Sequence, residues 1–245
     1  MRTAPVVEGE RTILKNQKIF EHQPVDLGYK DLITENGNSG RRYVTPEGKK
    51  YPSITTVLSI LSEDSIRAWR ERVGAEEANK ISSKASTRGT KIHTLTETYL
   101  KNENVSDKID EVKASMLDVE MFNKFKPILD PISNIHCQEL ALYSDHLRMA
   151  GRVDCIAEYN GKRAVIDFKT SNKSKLKSYI ESYFMQTAAY AIMYEERTGI
   201  PVPWLVILIA VEDDAPQVFI EKRDDWVKKL LRTRDYYENG YYTSE

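Results

Sequence analysis

The segment Gly151–Thr170, GRVDCIAEYNGKRAVIDFKT, constrains the fold more than any other stretch of the chain. Asn160-Gly161 is a two-residue hairpin signal, because a type I′ turn needs positive φ at both central positions. With those residues as the turn, Tyr159 pairs with Lys162 and, counting back, Asp154 stands opposite Asp167. Cross-strand neighbours of this kind have Cβ atoms roughly 4.5–5.5 Å apart. Lys169, two residues beyond Asp167, shares its face. The other face reads as core: Val153, Cys155, Ala157, Ala164, Ile166 and Phe168. Like charges placed opposite one another destabilise a sheet. The aspartate pair therefore calls for a partner, and a hard divalent cation is the natural one.

The flanking sequence says what surrounds this hairpin. The chain has 245 residues, the length of one elaborated domain. Residues 1–51 form a polar N-terminal segment, read as a loose tail, a loop at residues 36–40 and a short hairpin of Arg41–Val44 with Lys49–Tyr51. Residues 52–133 form a helical part. Apolar spacing places helices over 64–80 (Ile66, Trp69, Val73), from about Ser83 to Lys101 (Ile92, Leu95, Tyr99), and from near Ser106 to a close at Pro127 and Pro131. Residues 134–223 form a sheet with one long helix. Strands are expected over 135–143, 148–159 and 163–170, a helix over 175–198 ended by Gly199 and Pro201, and strands over 204–211 and 217–221. A C-terminal helix fills 224–245. This order predicts an α/β fold, a mixed central sheet flanked by helices with an N-terminal helical and hairpin elaboration.

Charge and cysteine content narrow the partners. Lys+Arg number 36 and Asp+Glu 37, so any nucleic-acid surface must be a local basic patch. The two cysteines, Cys137 and Cys155, fall on neighbouring strands and read as reduced core thiols. Two cysteines are too few for a four-cysteine iron–sulfur cluster. No apolar run reaches the ~18 residues of a membrane span. The N-terminus lacks an apolar signal core and carries Glu8 and Glu10. The expected location is cytoplasmic, and mitochondrial import is not expected from this N-terminus.

Further residues fit the aspartate pair. His93, in Arg88-Gly89-Thr90-Lys91-Ile92-His93, lies one step off the apolar stripe of its helix. Glu139 sits in the first strand of the meander, and Gln186 and Tyr190 share one helical face at i, i+4. The ordered set of His93, Glu139, Gly151-x-x-Asp154, Asp167-x-Lys169 and Gln186-x-x-x-Tyr190 resembles the PD-(D/E)XK nuclease superfamily, with its restriction-endonuclease-like core. Arg88-Gly89-Thr90-x-x-His93 and Glu139 narrow the likeness to the RecB-type exonuclease branch. Pro52-Ser53-Ile54-Thr55-Thr56-Val57 and Trp69-Arg70 point within it to the mitochondrial genome maintenance exonucleases and their bacteriophage relatives. The likeness spans about residues 52 to 210, and the iron–sulfur cysteines of some branch members are missing.

The resemblance implies a metal-dependent DNA exonuclease using Mg²⁺, with Mn²⁺ as a substitute and no iron–sulfur cluster. Asp154 and Asp167 supply carboxylates of the kind Mg²⁺ takes. The family pattern adds His93 and the backbone carbonyl of Phe168 as metal ligands. Lys169 orients the attacking water, a role that needs no depressed pKa. Gln186 and Tyr190 position the phosphate, and Glu139 joins them as a catalytic candidate. Arg70, Arg88 and Lys91, on helices beside His93, are expected to contact the DNA backbone. Tyr183, or Trp69, is expected to stack on a base. The expected partner is DNA, single-stranded with a free end, with replication or recombination proteins also conceivable and no membrane. Two rival readings stay open: a structure-selective or duplex endonuclease on the same core, and a nucleic-acid-binding protein without catalysis.

Overall fold

The Asn160-Gly161 turn closes as its residue types require in the computed structural model of the chain, which describes residues 18–38 and 40–240. Their φ angles are 51° and 71°, and Tyr159 pairs with Lys162. The last ladder pair before the site is Cys155 with Ile166, which sets Asp154 and Asp167 one step further on.

The chain runs through three short strands, β1 (Ile33–Gly37), β2 (Gly40–Val44) and β3 (Lys50–Pro52). Five helices follow: α1 (Ile54–Ser59), α2 (Glu63–Val73), α3 (Ala75–Leu100), α4 (Val105–Glu111) and α5 (Met116–Leu129). Then come β4 (Ile132–Ser144), β5 (Met149–Tyr159), β6 (Lys162–Ser171), α6 (Glu181–Thr198), β7 (Trp204–Val211), β8 (Gln217–Lys222) and α7 (Asp224–Asn239). The main sheet has the order β4-β5-β6-β7-β8, antiparallel except for the parallel β6–β7 pair. A parallel pair needs a crossover, and α6 supplies it.

Both faces of this sheet are covered. Cys155, Ala157, Ala164, Ile166 and Phe168 pack against Ile92 and Leu95 of α3 and Phe122 and Phe125 of α5. Ile156, Val165, Leu205 and Ile207 pack against α1, α6 and α7, where Phe184 stacks on Trp226 at 4.7 Å. Asp167 and Lys169 belong to this second side, beneath α6. Val153 joins it too, contrary to its expected place beside Cys155. Strand alternation breaks at that level: Glu139, opposite Asp154, has φ 49° between the flanking pairs Gln138–Cys155 and Leu140–Val153.

Several expectations needed revision. The helix expected over 64–80 divides at Gly74, whose φ of 85° ends α2 and starts α3 eight residues before the expected Ser83. α2 buries none of its residues, and Ile66 is 49% exposed, so its apolar stripe is not core. The third helix divides into α4 and α5 around Lys113, φ 52°, and Pro127 lies inside α5 and does not close it. α6 begins at Glu181, after a 3₁₀ turn at Lys177–Tyr179, and not at Lys175. Residues read as a loose tail are packed from Phe20 onward: Phe20 is buried against Tyr99, and Gln23 N–H donates to the Ile135 carbonyl at 2.7 Å. This strap covers the outer edge of β4, a strand edge that would otherwise present unpaired backbone. The earlier tail residues lie outside the described segments. The loop expected over 36–40 is the tight end of the β1–β2 ladder. The two cysteines are free thiols, and no described helix is long and apolar enough to cross a membrane.

Candidate active site

The hairpin carries the first two carboxylates. Asp154 Oδ2 accepts a hydrogen bond from Phe168 N–H at 2.8 Å, which ties β5 to β6 just past the regular ladder. That bond places the Phe168 main chain at the site, while its ring enters the core against Phe125. Asp167 is 1% exposed, and Lys169 Nζ lies 2.6 Å from its Oδ1. Burial raises the Asp167 pKa, with Lys169 acting against it and Asp154 adding to the rise. Burial works to lower Lys169, but the Asp167 and Asp154 carboxylates outweigh it and hold the amine above its ordinary value. Lys169 is thus a cation, suited to orienting and charge-offsetting roles and not to proton abstraction.

α3 and β4 complete the group. The buried second half of α3 lies along β6 and aims His93 at the hairpin, with Nδ1 3.7 Å from Asp154 Oδ2 and the ring edge-on to Phe168. Glu139 reaches in from β4. One ligand atom each of His93, Glu139 and Asp154 lies within 4.8 Å of the others. Burial first, and then the Asp154 and Glu97 carboxylates, push Glu139 up to about 7. Among the described residues no side chain or backbone donor bonds its carboxylate. One imidazole nitrogen and two crowded carboxylates suit a small divalent cation, which removes the repulsion the protein leaves in place. Asp167 stands outside this trio, held by Lys169. Glu139, expected among the catalytic residues, stands with the ligand set.

α6 closes the other side. Tyr190 is fully buried, which raises its pKa well above the ordinary phenol value; the Asp154 and Asp167 charges act the same way, and a hydrogen bond with Gln186 opposes them. It remains a neutral phenol beside both aspartates. Gly151 leaves room for it, since a Cβ there would sit 2.8 Å from Tyr190 Oη and Cε1. The Gly-x-x-Asp spacing thus has a packing reason.

The residues expected to bind DNA divide differently. Tyr183 lies over Lys169, with Nζ 5.1 Å from its ring centre, and so steadies the lysine. Arg88 is 7% exposed and pairs with Glu212 at the end of β7, which anchors α3 to the sheet and removes the guanidinium from solvent. Lys91 donates to the Lys113 carbonyl at 2.8 Å and to Asp118 at 3.1 Å, an internal tether between α3 and α5. Arg70 bonds Asn79 across the α2–α3 junction at 2.8 Å and stays partly exposed, as does Trp69. One residue the sequence reading missed is Glu97. It lies one turn beyond His93, at the i, i+4 spacing that marks a shared helix face. It lines the same cavity, about 490 Å³, as His93, Glu139, Asp154, Lys169 and Thr170.

The sequence pattern of the PD-(D/E)XK nuclease superfamily matches residues 59–235. The chain is 28% identical over 205 residues to mitochondrial genome maintenance exonuclease 1 of Homo sapiens, a match covering 76% of this chain and 58% of that protein. The same protein of Xenopus tropicalis is 35% identical over 119 residues, covering 44% of this chain and 34% of its own. The chain therefore spans less than two thirds of the length of these relatives. A solved structure, a putative exonuclease from Eubacterium rectale, aligns with a TM-score of 0.43 at 12% identity, covering 62% of this chain and 68% of the other. The residues matched by the family pattern contain the whole of the hairpin, the helix bearing His93 and the α6 crossover, and the chain belongs to the PD-(D/E)XK nuclease superfamily.

Proposed function

We propose that the protein is a metal-dependent deoxyribonuclease, an exonuclease that removes nucleotides from a free end of single-stranded DNA. The observation that carries this reading is the convergence of His93, Glu139 and Asp154 with a charged Lys169 in one open cavity. His93, Glu139 and Asp154, with Asp167 beside them, would hold Mg²⁺ or Mn²⁺. Such a cation, when bound, shields the phosphate, activates water and stabilises the leaving oxygen. Lys169, fixed by Asp167 and Tyr183, offers its ammonium to a non-bridging phosphate oxygen and orients the attacking water. Tyr190, bonded to Gln186 and fully buried beside both aspartates, would close the floor of the site beneath them.

The substrate reading rests on the exposed part of the chain before His93. Lys80 and Lys84 lie one turn apart on the solvated half of α3 and make no ion pair among the described residues. They line a groove of about 470 Å³ that continues toward Lys91 and Glu212. A near-neutral protein with a narrow basic track fits a single strand better than a duplex clamp. The relatives' name, exonuclease, agrees with dependence on an end. The test compares linear single strands, closed circular single strands and blunt duplex in Mg²⁺, Mn²⁺ and EDTA. Release of nucleotides from the linear strand alone, lost in EDTA, is expected. Rapid loss of circular strands would favour an endonuclease, and binding without cleavage in either metal would favour a non-catalytic protein.

A further inference from the structure

We infer that Arg152, itself oriented by Asp31 of the N-terminal segment, is a positioning residue that clamps Glu139 into the conformation needed to bind the cation. Glu139 is an unusual residue to find left-handed. Its φ of 49° falls within a strand, and side chains with a Cβ avoid that region. The other described non-glycine residues with positive φ are asparagines, or, like Lys113 and Arg148, lie in turns between elements. Glu139 is neither, and it carries a candidate ligand. Backbone strain of this kind persists where the surroundings over-determine it.

Arg152 does so. It lies on β5, two residues before Asp154 and opposite Ala141. Its Nη1 donates to the main-chain carbonyl of Glu139. Its Nη2 donates to both carboxylate oxygens of Asp31, each at 2.7 Å. The guanidinium fork therefore joins two points, and only one lies at the site. The second point is itself fixed. Asp31 Oδ1 also accepts from Leu32 N–H at 2.8 Å, and Leu32 is buried where β1–β3 dock on β4 and β5. Asp31 and Arg152 are both partly exposed, and an ion pair of that kind contributes little to stability on its own. Its effect is local: it sets the carbonyl of Glu139, and with it the direction of the side chain that meets His93 and Asp154. Outer partners of metal ligands of this sort typically change metal affinity about 10–100-fold.

The inference rests on the metal-binding reading of the site, and the experiment separates the two. Mn²⁺ is titrated into the full-length protein without DNA, free Mn²⁺ is read by electron paramagnetic resonance, and melting temperature is measured in EDTA. Arg152→Gln is expected to weaken Mn²⁺ binding about 10-fold or more with little change in metal-free melting. Asp31→Asn, which bonds no candidate ligand among the described residues, is expected to weaken it by a smaller factor. The double variant should bind as Arg152→Gln alone, because Asp31 acts only through Arg152. Arg152→Lys should not restore affinity, since an ammonium cannot span both partners. If wild-type protein binds no Mn²⁺, the metal site itself fails and the clamp falls with it. If wild type binds and Asp31→Asn and Arg152→Gln bind equally well, the clamp is overturned while the site stands. Full rescue by lysine, or additive losses in the double variant, overturns it as well. Should Arg152→Gln not fold, the surface variant Asp31→Asn decides.

Discussion

Helix α3 passes through two environments. Between Ala75 and Thr87 only Ala78 is buried, whereas from Arg88 onward Arg88, Ile92, Leu95, Thr96, Thr98, Tyr99 and Leu100 all are. The second half is held by one hydrophobic core and by the Arg88–Glu212 and Lys91–Asp118 pairs. The first half is held mainly by helix continuity and by α2, which buries nothing. The imidazole of His93 rides on the half whose position is over-determined. The unpaired lysines ride on the half that is free to meet a ligand. On the proposed reading, placement of donors and capture of substrate are separated along one helix.

The largest effects should fall on the sheet that the second half covers. Lys169→Ala should lower single-turnover cleavage on the order of 10²–10³-fold while Mn²⁺ and DNA binding persist. Lys84→Ala should leave the same rate within about twofold. Comparable losses from both would erase the division of labour.

Stability should follow the same boundary. Leu95→Ala, in the buried half, is expected to cost about 2–5 kcal/mol in urea unfolding. Ile81→Ala, 41% exposed in the first half, should fall within about 0.5 kcal/mol of wild type. A large cost at Ile81 would show that the first half is packed in solution.

Glu139 gives a smaller, pH-dependent effect facing the buried half. Its carboxyl titrates at about 7 in the folded protein, against an ordinary value of 4.5. Below the ordinary value it is protonated in both states. As pH rises toward 7 the unfolded chain releases the proton first, so the folded state loses stability across that window. In EDTA, Glu139→Gln should therefore melt near wild type at pH 4.5 and above it at pH 8. A constant difference at all pH values would show that burial, not charge, sets the cost.

The smallest effects are expected in the exposed half. Lys80→Ala and Lys84→Ala should each weaken single-strand binding modestly and flatten the log–log salt slope by about 0.7. Unchanged slopes for both would move the basic track elsewhere.

Regular and short-range features were legible in the sequence. The Asn-Gly turn set the hairpin register, the apolar run Trp204–Val211 has the expected bounds, and the final helix starts at Asp224 as expected and ends at Asn239. Asp154, Asp167 and Lys169 come together as the hairpin register implied, and His93, Gln186 and Tyr190 join them as the family resemblance implied. What was not legible depends on long-range contact or on missing periodicity. β1 is exposed at all five positions, so no alternation announces it. The early turns of α3 lack an apolar stripe because they pack on almost nothing. Arg88 and Lys91 look like surface cations until Glu212 and Asp118 are placed beside them. Arg152 and Asp31 are 121 positions apart in sequence, and nothing local in either one signals the other.

The parallel pairing of β6 with β7 has a consequence in time. The hairpin forms from neighbours, but β7 can join only after the intervening crossover is laid down, and His93 and Glu139 arrive from separate upstream segments. Contacts of long sequence separation are the slow part of folding. A chain that has closed only the Asp154–Asp167 hairpin thus lacks the His93 and Glu139 side chains of the proposed metal site. On the proposed reading, activity would arrive only with the finished sheet, a form of quality control that needs no inhibitor.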